Sequence, residues 1–416
     1  MRVLWFSNCV LGNSVSDGSG SWLHAMSRLI KDSVELTNVV RASVNEVTYT
    51  SYDTLHEVLV PSFNYKDKKV VKEVVADRIQ TIIKKIAPDI IHIWGTEGCW
   101  ATRFAQGSIK GRVLLEIQGL MEPISDVFWG GLNPCEVRRK SICVRNIVYP
   151  SQGFHRRMSS FRNDGKGEKH IMQKAKYIST QSNWVRDQIQ FCLPEACKVY
   201  NTLRPIRQEF WNADPWHLKK NDTVRIFTSM SYYDPFKGMH ILVKAVSVLK
   251  RKYKNVILEI AGVRKEDLVW YRQYDGIKYL KKLALELNVW DNIEFVGRLT
   301  APQIIKHLQD CNVFVNPSFV ESFSASTAEA LSLGVPTVLS YAGAMPDFSS
   351  NQDVALYYSP MDHTACAARI VQLVENNEIR KTLADNARSV IIEKCGNDNV
   401  RKVQVSIYSD IINNTL

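Results

Sequence analysis

No apolar run in this 416-residue chain approaches the roughly 20 residues a bilayer-spanning helix needs, so a transmembrane segment is not expected. Its nine cysteines are dispersed, with no Cys-x-x-Cys pair and no histidine partners. That pattern argues against a zinc site and for unpaired thiols in a reducing compartment. The opening MRVLWFSNCVLGNS has no basic region ahead of its apolar residues, and Ser7, Asn8 and Asn13 interrupt it. It reads as a first strand rather than a signal peptide, and a cytoplasmic protein is expected. No internal repeat stands out. No Asp-x-Asp pair offers a metal two carboxylates, so no metal cofactor is expected.

What is present is an ordinary globular composition, 45% apolar and 23% charged, in a chain long enough for two domains with sizeable cores. The net charge of +11 is uneven: residues 1–205 hold 28 basic and 19 acidic residues, a net of +9. Arg138 to Lys176 alone carries eleven basic residues against two acidic ones, near Phe128, Trp129, Tyr149, Phe154 and Phe161. Such a stretch suits the inner face of an anionic membrane or a phosphate-bearing acceptor, and it also fits a solvated basic loop. No recognised nucleic-acid motif accompanies it, so nucleic acid is not an expected partner.

Strand-like and helix-like segments alternate throughout, which predicts an α/β architecture with parallel sheets. In the first half, strands are expected at Val3–Ser7, Ile90–Trp94, Arg112–Ile117 and Tyr177–Thr180, with helices at Trp22–Val34 and Lys68–Ile86. Prolines and turn formers between Lys198 and Pro215 place a domain boundary near 206. The expected organisation is an N-terminal domain over 1–205, a C-terminal domain over 206–399, and a final helix over 400–416 that crosses back to the first domain.

The most informative stretch is NPSFVESFSASTAEALSLGVPTVLSYAGAMPD, Asn316 to Asp347. A buried strand stops at Pro317, a turn of small residues follows, and Ser324, Ser326 and Thr327 are good caps for a helix ending at Gly334. Strand Thr337–Ser340 completes a βαβ unit, and ligands of such units bind beyond the carboxyl ends of the strands. Free amides at the helix start favour an anion, and small side chains let a diphosphate approach the backbone. Glu321 precedes the helix and Glu329 lies one turn inside it, so the two carboxylates address different parts of one hydroxyl-rich ligand. An isolated pair of this kind more often caps a helix and faces solvent; the surrounding turn and strands favour the ligand.

This segment resembles the donor-binding signature of the family 4 retaining glycosyltransferases, part of glycosyl transferases group 1. The resemblance implies a GT-B fold, with two Rossmann-like domains whose parallel sheets face each other across a cleft and with a nucleotide sugar on the C-terminal domain. Glu321 matches the glutamate near the transferred sugar and Glu329 the one on the nucleotide ribose, while Phe323, Ser324 and Ala325 match the turn whose amides meet sugar and phosphate. Ser322 and Ser324 stand where glycine is usual. Lys237, followed by Gly238 and an amphipathic helix, matches the phosphate-binding lysine. Ser231 and Tyr232 occupy places where relatives often have an arginine. Arg298 matches a loop near the nucleotide base.

In the first half, the loop after the first strand, with Gly18 and Gly20, resembles the glycine-rich loop that faces the donor. Gln118 stands where many relatives have a histidine beside the reacting sugar, and an amide is no general base. Glu97 is the better candidate for the acceptor, whereas His92, inside an apolar strand, reads as a core residue. The resemblance implies a metal-independent, retaining hexosyl transfer from a nucleotide diphosphate sugar to a glycan or lipid-linked acceptor in cell-surface polysaccharide synthesis. Catalysis would rest on Glu321 and Lys237. Two rival readings are a non-catalytic nucleotide-sugar-binding subunit, suggested by the missing arginine and histidine, and a GT-B isomerase acting on the nucleotide sugar itself.

Overall fold

The computed structural model describes residues 1–12, 20–62, 68–217, 222–230, 234–349 and 352–414. It divides into two compact units, one comprising Met1–Met121, Asp164–Pro205 and Lys394–Leu416, the other Glu122–Asn163 and Ile206–Glu393.

The first unit is built on strands β1 (Arg2–Ser7), β2 (Glu35–Ala42), β3 (Thr48–Tyr52), β4 (Leu55–Pro61), β5 (Ile90–Trp94), β6 (Val113–Glu116), β7 (Tyr177–Thr180) and β8 (Lys198–Asn201). They form one sheet in the order β3-β4-β2-β1-β5-β6-β7-β8, parallel except where β3 pairs with β4. Strands buried on both faces need continuous apolar runs, which is why VLWF and IIHIW sit at the centre, with Val3 opposite Ile90 and Phe6 opposite Ile93. Alternate residues feed two cores. Leu4 and Phe6 join Ile91, Ile93 and Leu115 in one; Val3 and Trp5 join Ile90, Leu114 and the C-terminal helix in the other. That helix, Asn397–Asn413, buries Val400, Ile407, Tyr408 and Ile411. Tyr408 Oη accepts from Trp5 Nε1 at 2.9 Å and pairs with His92 Nδ1 at 2.7 Å. His92 is thus a core residue, fully buried and stacked on Trp94, and burial lowers its pKa.

The second unit carries β9 (Thr223–Ser229), β10 (Asn255–Ala261), β11 (Ile293–Gly297), β12 (Val313–Asn316), β13 (Thr337–Ser340) and β14 (Leu356–Tyr358). All are parallel, in the order β11-β10-β9-β12-β13-β14. A single cut near 206 does not describe these units, because residues 122–163 pack with the second. The physical reason is aromatic burial: Phe128 is fully buried, and the Phe128 and Phe161 rings lie 6.1 and 5.9 Å from Phe236. Arg157 adds ion pairs to Asp234 at 2.7 Å and Asp275 at 3.0 Å. Phe128 and Phe154, grouped by sequence with a surface patch, are therefore core residues.

Candidate functional site

In the second sheet the strand order reverses between β9 and β12: β10 and β11 extend to one side, β13 and β14 to the other. Such a switch point opens a crevice at the carboxyl ends of the two strands. The chain leaving β9 carries Lys237 and the chain leaving β12 carries Glu321. Lys237 Nζ lies 2.6 Å from Glu321 Oε1, with each side chain 16% exposed. Ser318 Oγ donates to the same oxygen at 2.8 Å.

Backbone packing holds the two loops together. Gly238 has φ +72°, and a Cβ there would sit 1.8 Å from the Pro317 carbonyl oxygen, so the residue after Lys237 must be glycine. Phe319 N–H donates to the Phe236 carbonyl at 2.7 Å. From the far side, Ala344 N–H donates to the Glu321 carbonyl at 2.7 Å, beside Gly343, whose missing Cβ leaves room for that backbone. Asp234 anchors the turn: its carbonyl accepts from Lys237 N–H at 3.0 Å while Arg157 holds its carboxylate.

The helix Ala325–Ser332 starts at the same crevice. Ser324 is its N-cap, accepting from Thr327 N–H at 3.2 Å, and Asn316 Nδ2 donates to Ser324 Oγ at 2.9 Å. The amides of Ala325 and Ser326 have no acceptor inside the helix. Ser324 has φ −105°, and Ser322 is not among the residues with positive φ, so neither position needs glycine. Phe323 is half-buried against Phe348, rings 5.7 Å apart. Glu329 is buried within the helix, and Arg207 grips it with two bonds, Nε to Oε1 at 2.7 Å and a terminal nitrogen to Oε2 at 2.8 Å. Burial pushes the Glu329 carboxyl up from its ordinary range and Arg207 opposes the shift. Arg298 is exposed just beyond β11, the edge strand two places from β9.

The first sheet reverses between β1 and β5. The loops leaving these strands meet where a Cβ on Gly98 would lie 3.3 Å from the Asn8 amide. Glu97 is exposed there, and Gln118 is half-buried beyond the next strand, β6. Buried carboxylates hold these loops from behind. Glu57 accepts from the amides of Leu11 and Gly12 at 2.7 and 3.2 Å and from Asn38 Nδ2 at 2.9 Å. Glu168 accepts from Thr96 Oγ1 at 2.5 Å and from Met121 N–H at 2.7 Å, joining the loops that carry Glu97 and Gln118. Burial pushes the Glu168 carboxyl up to about 7. Gly20 has φ +94°, a conformation that favours glycine. Gly18, Ser231 and Tyr232 lie outside the described residues.

Residues 212–390, most of the second unit, match the family model described as glycosyl transferases group 1. The chain carries a glycosyl transferases group 1 domain. An uncharacterized glycosyltransferase of Methanocaldococcus jannaschii is 23% identical over 51% of this chain and 56% of its own length. The chain spans about half the length of the curated relatives it matches. Among solved structures, sucrose-phosphate synthase from Thermosynechococcus elongatus superposes with a TM-score of 0.72 at 14% identity, covering 99% of this chain and 98% of that one. The Anabaena protein HepE in complex with UDP and glucose gives 0.68 at 14% identity, covering 98% and 99%. These likenesses give the fold, GT-B.

Within the glycosyl transferases group 1 domain, Lys237, Glu321, Phe323, Ser324 and Ala325 are brought to one crevice, and Arg298 follows the edge strand of the same sheet. Sequence reasoning missed Arg207, which lies just before the matched span and 122 residues from its partner Glu329. Ser318 was not singled out by sequence reasoning, although it opens the turn after the strand where the ligand was expected. Glu168 had only a weak sign: an acid placed in a basic helix.

Proposed function

We propose that this chain is a retaining glycosyltransferase that moves a sugar from a nucleotide diphosphate donor to a glycan or lipid-linked acceptor, in cell-surface polysaccharide synthesis. The observation that carries the reading is the Lys237–Glu321 pair at the β9/β12 switch point, beside the capped start of a helix. On donor binding, Lys237 moves its charge from Glu321 to the diphosphate, and the amides of Ala325 and Ser326 add partial positive charge. Glu321 and Ser318 then address hydroxyls of the transferred sugar. Glu329, held in place by Arg207, keeps further acceptor capacity for ribose hydroxyls. Arg298 is assigned to the nucleotide base, and Glu97 and Gln118 to the acceptor.

In the transfer, the bond from the anomeric carbon to the diphosphate oxygen breaks and the acceptor oxygen bonds to that carbon on the same face. The acceptor's proton passes to the departing diphosphate, so the amide of Gln118 does not have to act as a base. Lys237 and the helix amides stabilise the charge on the leaving group, and the proposal includes no metal ion. Cytoplasmic location with peripheral contact to an anionic membrane through residues 138–176 belongs to the same reading; among the described residues no helix is long and apolar enough to cross a membrane.

The test is release of nucleotide and of glycosylated product by wild type and Glu321→Ala, with and without acceptor. The expected result is acceptor-dependent product from wild type and none from the variant, with unchanged far-ultraviolet circular dichroism. Ordinary turnover by Glu321→Ala overturns the assignment. Donor binding without transfer points to a non-catalytic binder, and a changed donor without acceptor points to an isomerase.

A further inference from the structure

A helix on a globular protein normally turns its apolar stripe inward and its charges outward. The short helix Val144–Val148 does the reverse. Val144, Ile147 and Val148 are spaced i, i+3 and i+4, so they share one face, and they are 39%, 71% and 61% exposed. No residue of this helix is buried. Its one charged residue, Arg145, is directed at protein: Nε donates to Gln152 Oε1 at 2.7 Å, a terminal nitrogen donates to Tyr274 Oη at 2.8 Å, and the guanidinium lies 4.0 Å from the Tyr274 ring centre. Ile142 and Tyr149 extend the apolar face at either end, 56% and 54% exposed. Single exposed aliphatics are common on protein surfaces, but five large apolar side chains within eight residues form a patch.

The patch is also held in place. Cys143 is buried beneath it, Lys278 Nζ donates to the Ile142 carbonyl, and Asn146 Nδ2 donates to Asp275 at 3.2 Å. Arg138 and Arg139 are exposed on the preceding helix, Pro134–Ser141, whereas the neighbouring acid Glu136 is paired with Lys140 at 2.9 Å. Lys140, Arg145 and Arg157 are engaged within the protein, whereas Arg138 and Arg139 stay exposed beside the apolar face.

We propose that Ile142–Tyr149, flanked by Arg138 and Arg139, is a docking tip that inserts shallowly into an anionic bilayer surface. Aliphatic side chains suit the boundary of the acyl region, a tyrosine suits headgroup depth, and arginines meet anionic headgroups. A helix of five residues can only lie in that interface. The inference rests on the membrane-facing part of the function proposed above and assigns its contact residues.

The test uses the full chain and sedimentation with vesicles of phosphatidylcholine alone or mixed equally with phosphatidylglycerol. Wild type is expected to sediment with the mixed vesicles and far less with the neutral ones. Ile147→Asp with Val148→Asp should weaken that binding about tenfold or more, because two inserted aliphatic side chains are lost. Arg138→Glu with Arg139→Glu should weaken it about tenfold by loss of headgroup attraction. Equal sedimentation of wild type and both variants overturns the proposal. So does absence of vesicle binding together with self-association that the aspartate variant abolishes, an outcome that assigns the face to a second copy of the chain. Thermal stabilisation of the same variants by nucleotide sugars is read in parallel, so failure of the membrane tip and failure of the transferase reading are separable.

Discussion

Loops at the two switch points are held by opposite means. In the second unit, backbone contacts do the holding: Gly238 against Pro317, Phe319 N–H on Phe236, Ala344 N–H on Glu321. Lys237 and Glu321 are thereby left at the crevice, partly buried and facing each other. In the first unit the holding is done by carboxylates sealed behind the loops: Glu57, Glu168 and, across β6, β7 and the segment after β8, Glu116 with Gln181 and Thr202 at 2.6 and 3.0 Å. One unit presents its charge to a ligand, whereas the other consumes its charge as scaffold. On the proposed function this matches a charged diphosphate in the second unit and a neutral, hydroxyl-bearing acceptor in the first.

The largest effect is expected from removing a buried charged pair of the second unit, Arg207–Glu329. Arg207→Ala leaves the Glu329 carboxylate buried without its partner, and urea unfolding should show a loss of about 3 to 5 kcal/mol. Adding Glu329→Gln should recover most of it. If Arg207→Ala unfolds like wild type, Glu329 is not held by this pair.

The next effect concerns pH and belongs to the first unit. Folded Glu168 keeps its proton up to about 7, against 4.5 for an ordinary glutamate. The folded state therefore binds more protons across that window, and stability falls as pH rises through it, by about 3 kcal/mol in all. Glu168→Gln should flatten this fall, as read by melting temperature across a pH series; parallel profiles for wild type and variant would show that Glu168 does not carry it. The smallest effect is Ser324→Gly. Its backbone needs no special freedom and glycine is a tolerated N-cap, but the Asn316 amide loses an acceptor, so a loss of about 1 kcal/mol is expected in urea.

Strong local patterns made much of this legible in the sequence. The short segments Ile90–Trp94, Tyr177–Thr180 and Thr337–Ser340, rich in β-branched and aromatic residues, are strands with those bounds, and the helix Lys68–Ile86 ends where Pro88 requires. The hairpin of β3 and β4 was missed because TYTSY is polar and lies at an open edge, with only Asp53, at φ +49°, marking its turn. In the candidate site, Glu321 and Lys237 were legible because each sits a few residues past a readable strand. Arg207 and Glu168 were not, since their partners are 122 and 72 residues away and no local spacing encodes such contacts. The allegiance of residues 122–163 was hidden for the same reason: chain order puts them between β6 and β7, and only the packing of Phe128 and Phe161 on Phe236 assigns them to the second unit.

Thermal unfolding of wild type and Lys237→Ala against a panel of UDP, GDP and ADP sugars tests whether Lys237 and Glu321 form the donor site. A ligand that binds only the folded state must raise its melting temperature. At least one nucleotide sugar should stabilise wild type, and Lys237→Ala should weaken its binding by about a hundredfold through loss of the charge on the diphosphate. Stabilisation of both proteins at the same donor concentrations, or of neither by any donor, would contradict the account.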